Sequence, residues 1–224
     1  MNILIIGGTQ FLGRCLIEFA LTNGHKVTMF NRGKSNPNLF PNIEFIQGDR
    51  VSDLNKLKKK TWNVVIDTCG YFPKDIAKSA KYLKDNVESY IFISSCSVYD
   101  ITNVSSLIDE NFKIVSRPDN YDSDNRTYDH YGYNKFLCER EVINFFKEKA
   151  VIIRPGLIVG PHDQTYRFPY WPERVSKGGE TLTPGKPEAP IQIIDVRDLA
   201  GWIIKLCENK HYGTFNATSK VMTF

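Results

Sequence analysis

The chain has 224 residues, 42% of them hydrophobic and 24% charged, with a formal net charge of +4. That length and apolar content support one large domain, or one domain with part of a second, around a core that needs no disulfide or metal staple. The mild charge disfavours a nucleic-acid binder, no apolar run reaches the roughly 18 residues of a membrane span, and five scattered cysteines (Cys15, Cys69, Cys96, Cys138, Cys207) without a CxxC pair read as reduced thiols of a cytoplasmic protein.

Residues 3–6 predict a buried strand, and residues 12–22 a helix with Leu12, Leu16, Phe19 and Ala20 at helical spacing. Only four apolar residues precede Gly7-Gly8, too few for a secretory signal. The order strand, glycine turn, helix builds an anion site. Unpaired N–H groups and the helix dipole favour a pyrophosphate, and glycines let the backbone approach it. Gly7 and Gly13 fill the first and last slots of the dinucleotide fingerprint, while Gln10 holds the middle one; Thr9, Phe11 and Leu12 complete the loop.

A second strand over 25–30 enters through Gly24, a third covers 43–46, and a lysine-ended helix follows, with Lys56, Lys58, Lys59 and Lys60 as its solvated end. Strands are predicted over 64–66 and 90–93, with a helix between them from Pro73 to Leu83. Residues 101–127 form a long polar loop of the kind that is functional or mobile. A long helix from Tyr128 to Lys147 leads into a sixth strand over 151–153. Apolar strands alternating with helices specify an α/β fold, a doubly wound parallel sheet whose ligands bind beyond the carboxyl ends of the strands. Residues 1–155 are assigned to a Rossmann domain. Residues 156–224 are assigned to a partial substrate-binding region interleaved with late Rossmann elements.

The second strand ends in Asn31-Arg32-Gly33-Lys34. An NAD site would place Asp or Glu there for the ribose hydroxyls; Asn31 removes that charge, and Arg32 with Lys34 suits a 2′-phosphate, so NADP is favoured over NAD. Asp49, with Arg50 beside it, follows the third strand, where a carboxylate can take the adenine amino group. Tyr131 and Lys135 lie four apart on one helix face. A free tyrosine titrates near 10, and a neighbouring cation would lower that value and ease proton transfer. Ser95, at the end of the fifth strand, brings a hydroxyl to the same rim.

Together these blocks resemble an extended short-chain dehydrogenase/reductase of the NAD-dependent epimerase/dehydratase family. The resemblance continues through Arg154-Pro155, Gly160-Pro161, the Asp195–Ala200 block and Phe215-Asn216-Ala217-Thr218. It implies that Ser95 polarises the substrate oxygen, that Tyr131 is the acid/base, and that Lys135 holds the nicotinamide ribose and depresses the Tyr131 pKa. It also implies that Asp67, Thr68, Cys69 and Gly70 line the cofactor. Cys96 and Ser97 replace the Asp-Glu pair of the family's dehydratases, and Leu157 and Ile191 replace the Asn and Arg that grip a nucleotide sugar. The family continues beyond the Asn-Ala-Thr block, so the substrate part is expected to be truncated at Phe224.

The leading expectation is therefore an NAD(P)-dependent oxidoreductase or epimerase acting on a hydroxyl or ketone of a small, sugar-like substrate. Arg167, Phe168 and Trp171, after the Gly160-Pro161 turn, are expected near the substrate, Tyr170 with them. Metal is not expected. The opening glycine loop and the Asp-Val-Arg-Asp-Leu block also resemble chloroplast stem-loop-binding proteins, which act on RNA. A non-catalytic NADP-binding sensor shares the fold as well. A homodimer would pair the 73–83 and 131–147 helices about a two-fold axis.

Overall fold

The computed structural model describes residues 1–58, 60–102 and 107–223. Lys59 of the basic cluster, residues 103–106 of the polar loop and Phe224 lie outside the described residues. The elements run β1 (Asn2–Ile6), α1 (Phe11–Thr22), β2 (Lys26–Asn31), β3 (Glu44–Gln47), β4 (Trp62–Asp67), α2 (Pro73–Leu83), β5 (Val87–Ile93), α3 (Tyr131–Phe146) and β6 (Ala150–Pro155). Then come β7 (Leu157–Val159), α4 (Tyr170–Ser176), β8 (Pro190–Ile191), β9 (Ile193–Asp195), α5 (Val196–Glu208), β10 (Gly213–Ala217) and β11 (Met222–Thr223).

Seven strands pair in parallel in the order β10-β6-β5-β4-β1-β2-β3. Ile5 of β1 lies opposite Met29 on one side and Ile66 on the other. Strand side chains alternate between faces, and both faces are covered. Ile3, Ile5, Val64 and Ile66 pack with Leu16 and Ile17 of α1 and Leu199 and Ile203 of α5. Leu4, Ile6, Val65, Tyr90 and Phe92 pack with Ile76 and Leu83 of α2 and Val142 of α3. Each such side chain contributes about 1.5–3 kcal/mol of transfer free energy. After β3 the chain crosses back to lay β4 against β1, so the strand order reverses there and a cleft opens above the carboxyl ends of β1 and β4.

The six early strands and α2 lie where the sequence placed them. Two elements differ. The lysine-rich segment is a single 3-10 turn, Leu54–Leu57, that buries Leu54 and Leu57 instead of forming a helix. The helix predicted over Tyr128 to Lys147 starts at Tyr131 instead, and the Tyr128 ring packs edge-on against Tyr71 and tilted on Phe72. In residues 156–223, β10 extends the main sheet and α5 covers α1, while β7 pairs with β9 and β8 with β11 in two small ribbons. Helix α4 buries none of its residues.

Candidate active site

The β1–α1 connection is built for close approach. Gly7 sits at φ +106°, a left-handed conformation, and a Cβ there would lie 2.3 Å from Thr68 Oγ1. A Cβ on Gly13 would lie 2.8 Å from Gly8 Cα, so the first turn of α1 rests on the loop itself. Gln10 holds the N-cap position in an extended conformation without capping the helix through its side chain. Its Nε2 donates instead to Ser35 Oγ and to Gln164 Oε1, both at 3.2 Å. Among the described residues the first-turn N–H groups of α1 therefore have no side-chain acceptor, and they point their dipole at the cleft, as a pyrophosphate site requires.

The cleft has two halves that meet at Gly7, Thr9, Gln10, Cys69 and Tyr71. The half beside β2 and β3 encloses about 330 Å³, with Asn31, Arg32, Lys34, Asp49 and Arg50 in its wall. The half beside β5 and α3 encloses about 700 Å³, and Phe11, Leu12, Gly13, Thr68, Ser95, Tyr131, Lys135 and Arg167 line it. A glycine turn with an uncapped helix start between two connected cavities fits an extended dinucleotide.

In the first half, Asn31 Nδ2 donates to Gly7 O (2.7 Å) and its Oδ1 accepts from Gly33 N (2.8 Å), so this side chain clips the strand end to the glycine turn. Arg32 and Lys34 are exposed at its edge. Asp49 Oδ1 accepts from Val51 N. Asp67 is 0% exposed and lies beneath the cleft. It binds both terminal nitrogens of Arg50 (2.9 and 2.7 Å) and accepts from the Tyr90 hydroxyl (2.6 Å). Burial alone would raise the Asp67 pKa, but Arg50 holds it below the usual carboxylate value. Gly70 also stays out of the wall; its carbonyl accepts from Lys135.

In the second half, Ser95 ends β5. Its Oγ accepts from Ser97 N and donates to Ser97 Oγ, both at 3.1 Å, and so starts the 3-10 turn Cys96–Val98. That turn meets the start of α3 at Gly132, where a Cβ would fall 2.1 Å from Ser97 O. The contact brings Tyr131 to Ser95. Lys135, one turn further on, is 3% exposed and donates to Gly70 O (2.8 Å) and Ile93 O (2.5 Å), with Phe92 under its ammonium. Burial pulls its pKa down to about 8.

Tyr131 departs from the expected depression. Burial raises its pKa, with the Ser95 hydroxyl and the Arg167 guanidinium pulling it down. Lys135 is not among the leading influences on it, and its ammonium is held by two backbone carbonyls. Of the residues expected near a substrate, Arg167 lines the cleft, whereas Phe168 and Trp171 do not; Tyr170 stacks edge-on with Trp171 outside it.

A sequence profile of the NAD dependent epimerase/dehydratase family matches residues 3–218. The chain belongs to that family. It is 27% identical over 227 residues to the chloroplast stem-loop binding protein of 41 kDa b from Arabidopsis thaliana, covering 93% of this chain and 56% of that protein. It is 28% identical over 173 residues to the human (Homo sapiens) decarboxylating sterol-4-alpha-carboxylate 3-dehydrogenase, covering 71% and 45%. The chain thus spans about half the length of these curated relatives. Among solved structures, a putative epimerase from Burkholderia cenocepacia superposes with a TM-score of 0.79 at 18% identity, over 99% of this chain and 77% of that one. UDP-glucuronic acid 4-epimerase from Bacillus cereus, in complex with NAD, gives 0.78 at 18%, over 100% and 80%. These likenesses establish a shared fold.

Several residues of this epimerase/dehydratase chain have site roles that its sequence did not announce. Glu139 is 2% exposed and takes Arg154 in a two-point ion pair (2.9 and 2.6 Å) while accepting from Ser94 Oγ at 2.5 Å. Arg154 also donates to the Tyr99 hydroxyl, which donates to Asn216 Oδ1 (2.7 Å). These residues form a buried polar web that joins α3 to the ends of β5, β6 and β10. Arg126, from the polar loop, pairs with Asp75 (3.1 and 2.7 Å), lies over Phe72 and closes the far wall of the first half beside Tyr128. Helix periodicity flags Glu139, four residues after Lys135; nothing local flags its partner.

Proposed function

We propose that this chain binds NADP(H) along the cleft and acts as an oxidoreductase or epimerase on a hydroxyl or ketone of a small, sugar-like substrate, through Ser95, Tyr131 and Lys135. The observation that carries this reading is the meeting of those three side chains in one cavity with the uncapped start of α1. The cofactor, when bound, supplies or accepts the hydride. Ser95 Oγ, held in place by Ser97 N, can turn its one O–H from Ser97 Oγ to the substrate oxygen. Tyr131 is protonated at neutral pH, its pKa having been raised by burial, and so serves as proton donor to a ketone oxygen. Two of the three ammonium donors of Lys135 are committed to carbonyls; the third is available to a ribose hydroxyl.

For NADP over NAD, the support is that Asn31 is used internally and that Arg32 and Lys34 place two cations at the edge of the first half. The reading includes a homodimer pairing α2 with α3, on whose surface Ile143 is 44% exposed. The test is fluorescence titration with NADPH and NADH. NADPH should bind more tightly, and Arg32→Ala should weaken NADPH alone by about tenfold. Equal affinities would remove the NADP preference, and failure of both to bind would overturn the dinucleotide site. The likeness to a stem-loop binding protein favours RNA binding as a second reading. Retention of an RNA hairpin that falls steeply with salt would support it.

A further inference from the structure

Arg167 stands in the second half of the cleft, on the loop between β7 and α4. Its backbone N and its Nε both donate to Thr165 Oγ1, at 3.4 and 3.1 Å. Thr165 in turn donates from its N and its hydroxyl to Asp163 Oδ1, at 2.8 and 2.6 Å. This relay sets the plane of the guanidinium and leaves its two terminal nitrogens with no hydrogen-bond or ion-pair partner among the described residues. The loop holds two non-glycine residues in the left-handed region, His162 at φ +69° and Tyr166 at φ +58°, a conformation that persists only where the surroundings enforce it. Gln164 anchors the loop to the glycine turn through Gln10.

Arg167 is close enough to Tyr131 to act on its titration. The other cation in this half, Lys135, is buried and tied to carbonyls, and the one carboxylate, Asp163, makes no ion pair with Arg167. An oriented fork with two open N–H directions is the geometry that a carboxylate or phosphate takes with paired bonds. Leu157, in the wall of the same half, and Ile191 provide no side-chain N–H that could hold a second phosphate.

We propose that Arg167 anchors a single oxyanion of the substrate, a carboxylate or a phosphate, close to the carbon whose hydroxyl or ketone meets Ser95 and Tyr131. The substrate class is then a small hydroxylated or keto anion rather than a nucleotide diphosphate. This rests on the assignment of the cavity as the substrate end of a dinucleotide site.

The test uses the full chain, with and without saturating NADPH, titrated calorimetrically with three probes of one carbon skeleton: glycerate, glycerol 3-phosphate and glycerol. At least one anion should bind about tenfold more tightly than glycerol. Arg167→Gln should abolish that preference and leave NADPH affinity unchanged, and Arg167→Lys should restore part of it. The probe that binds better decides between carboxylate and phosphate. If neither anion is preferred, or if Arg167→Gln leaves the preference intact, the proposal is overturned. NADPH affinity, read in the same samples, separates this result from failure of the dinucleotide site. Should NADPH not bind, preference for an anion that depends on Arg167 in the bare chain still upholds the anchor, and its absence removes it.

Discussion

Replacing Lys135 with methionine should change the slope of stability against pH as well as its level. Lys135 is 3% exposed, and burial lowers its pKa from the ordinary 10.5 to about 8. In the unfolded chain it titrates near 10.4. Between those values the unfolded state holds the extra proton, so the lysine's contribution to stability rises with pH through this window and is lost as pH falls through 8. At about 1.4 kcal/mol per pH unit, the full swing is roughly 3 kcal/mol. Methionine keeps an unbranched chain against Phe92 but carries no proton, and the lost bonds to the Gly70 and Ile93 carbonyls are a cost that does not vary with pH. Urea unfolding of both proteins from about pH 7 to about pH 10 gives the difference directly. Titrations that Lys135 does not touch, such as that of the buried Cys207 thiol at about 12, cancel in it. The wild-type-minus-variant difference should be flat below about pH 8 and then climb. Parallel curves would refute the argument, because they would mean that the ammonium is as well solvated folded as unfolded.

Glu139→Ala should destabilise the fold by about 3–5 kcal/mol, because it leaves the Arg154 guanidinium buried without its counter-charge. The joint change Glu139→Leu with Arg154→Met should cost far less than the two single changes summed, and additive losses in a urea double-mutant cycle would rule out the coupling. Gly132→Ala should cost about 1–3 kcal/mol, since a Cβ 2.1 Å from the Ser97 carbonyl forces the start of α3 off the Ser95 turn. An unfolding midpoint equal to that of wild type would show that the two segments do not pack so closely.

The early half of the fold was legible because each strand is a compact apolar run and Pro73 marks the start of α2. Helix α5 was equally open to reading: Asp195 caps it, and Val196, Leu199, Ala200, Ile203, Ile204 and Cys207 repeat at helical spacing. It was expected only as a block of family resemblance. The ribbons of β7, β8, β9 and β11 are two or three residues long, too short for any period to register. The site's catalytic candidates were readable from chemistry and spacing, but their electrostatics were not. Tyr131 and Lys135 are four apart, and that spacing suggested an ammonium acting on a phenol. The carbonyls that hold the ammonium come from Gly70 and Ile93, far away in sequence. The burial of Asp67 was hidden for the same reason, since Arg50 and Tyr90 reach it from other elements.

The packing of α5 on α1 has a consequence for the chain as it leaves the ribosome. The α1 face bearing Leu16, Ile17 and Ala20 is covered in part by Leu199, Ile203 and Ile204, which are translated roughly 180 residues later. At about 5–20 residues per second, that is on the order of 10–35 s of synthesis. Until α5 is made, the apolar outer face of α1 stays uncovered, even after β1 to β6 have emerged. The glycine turn after β1 is made long before α5 seals the layer against α1.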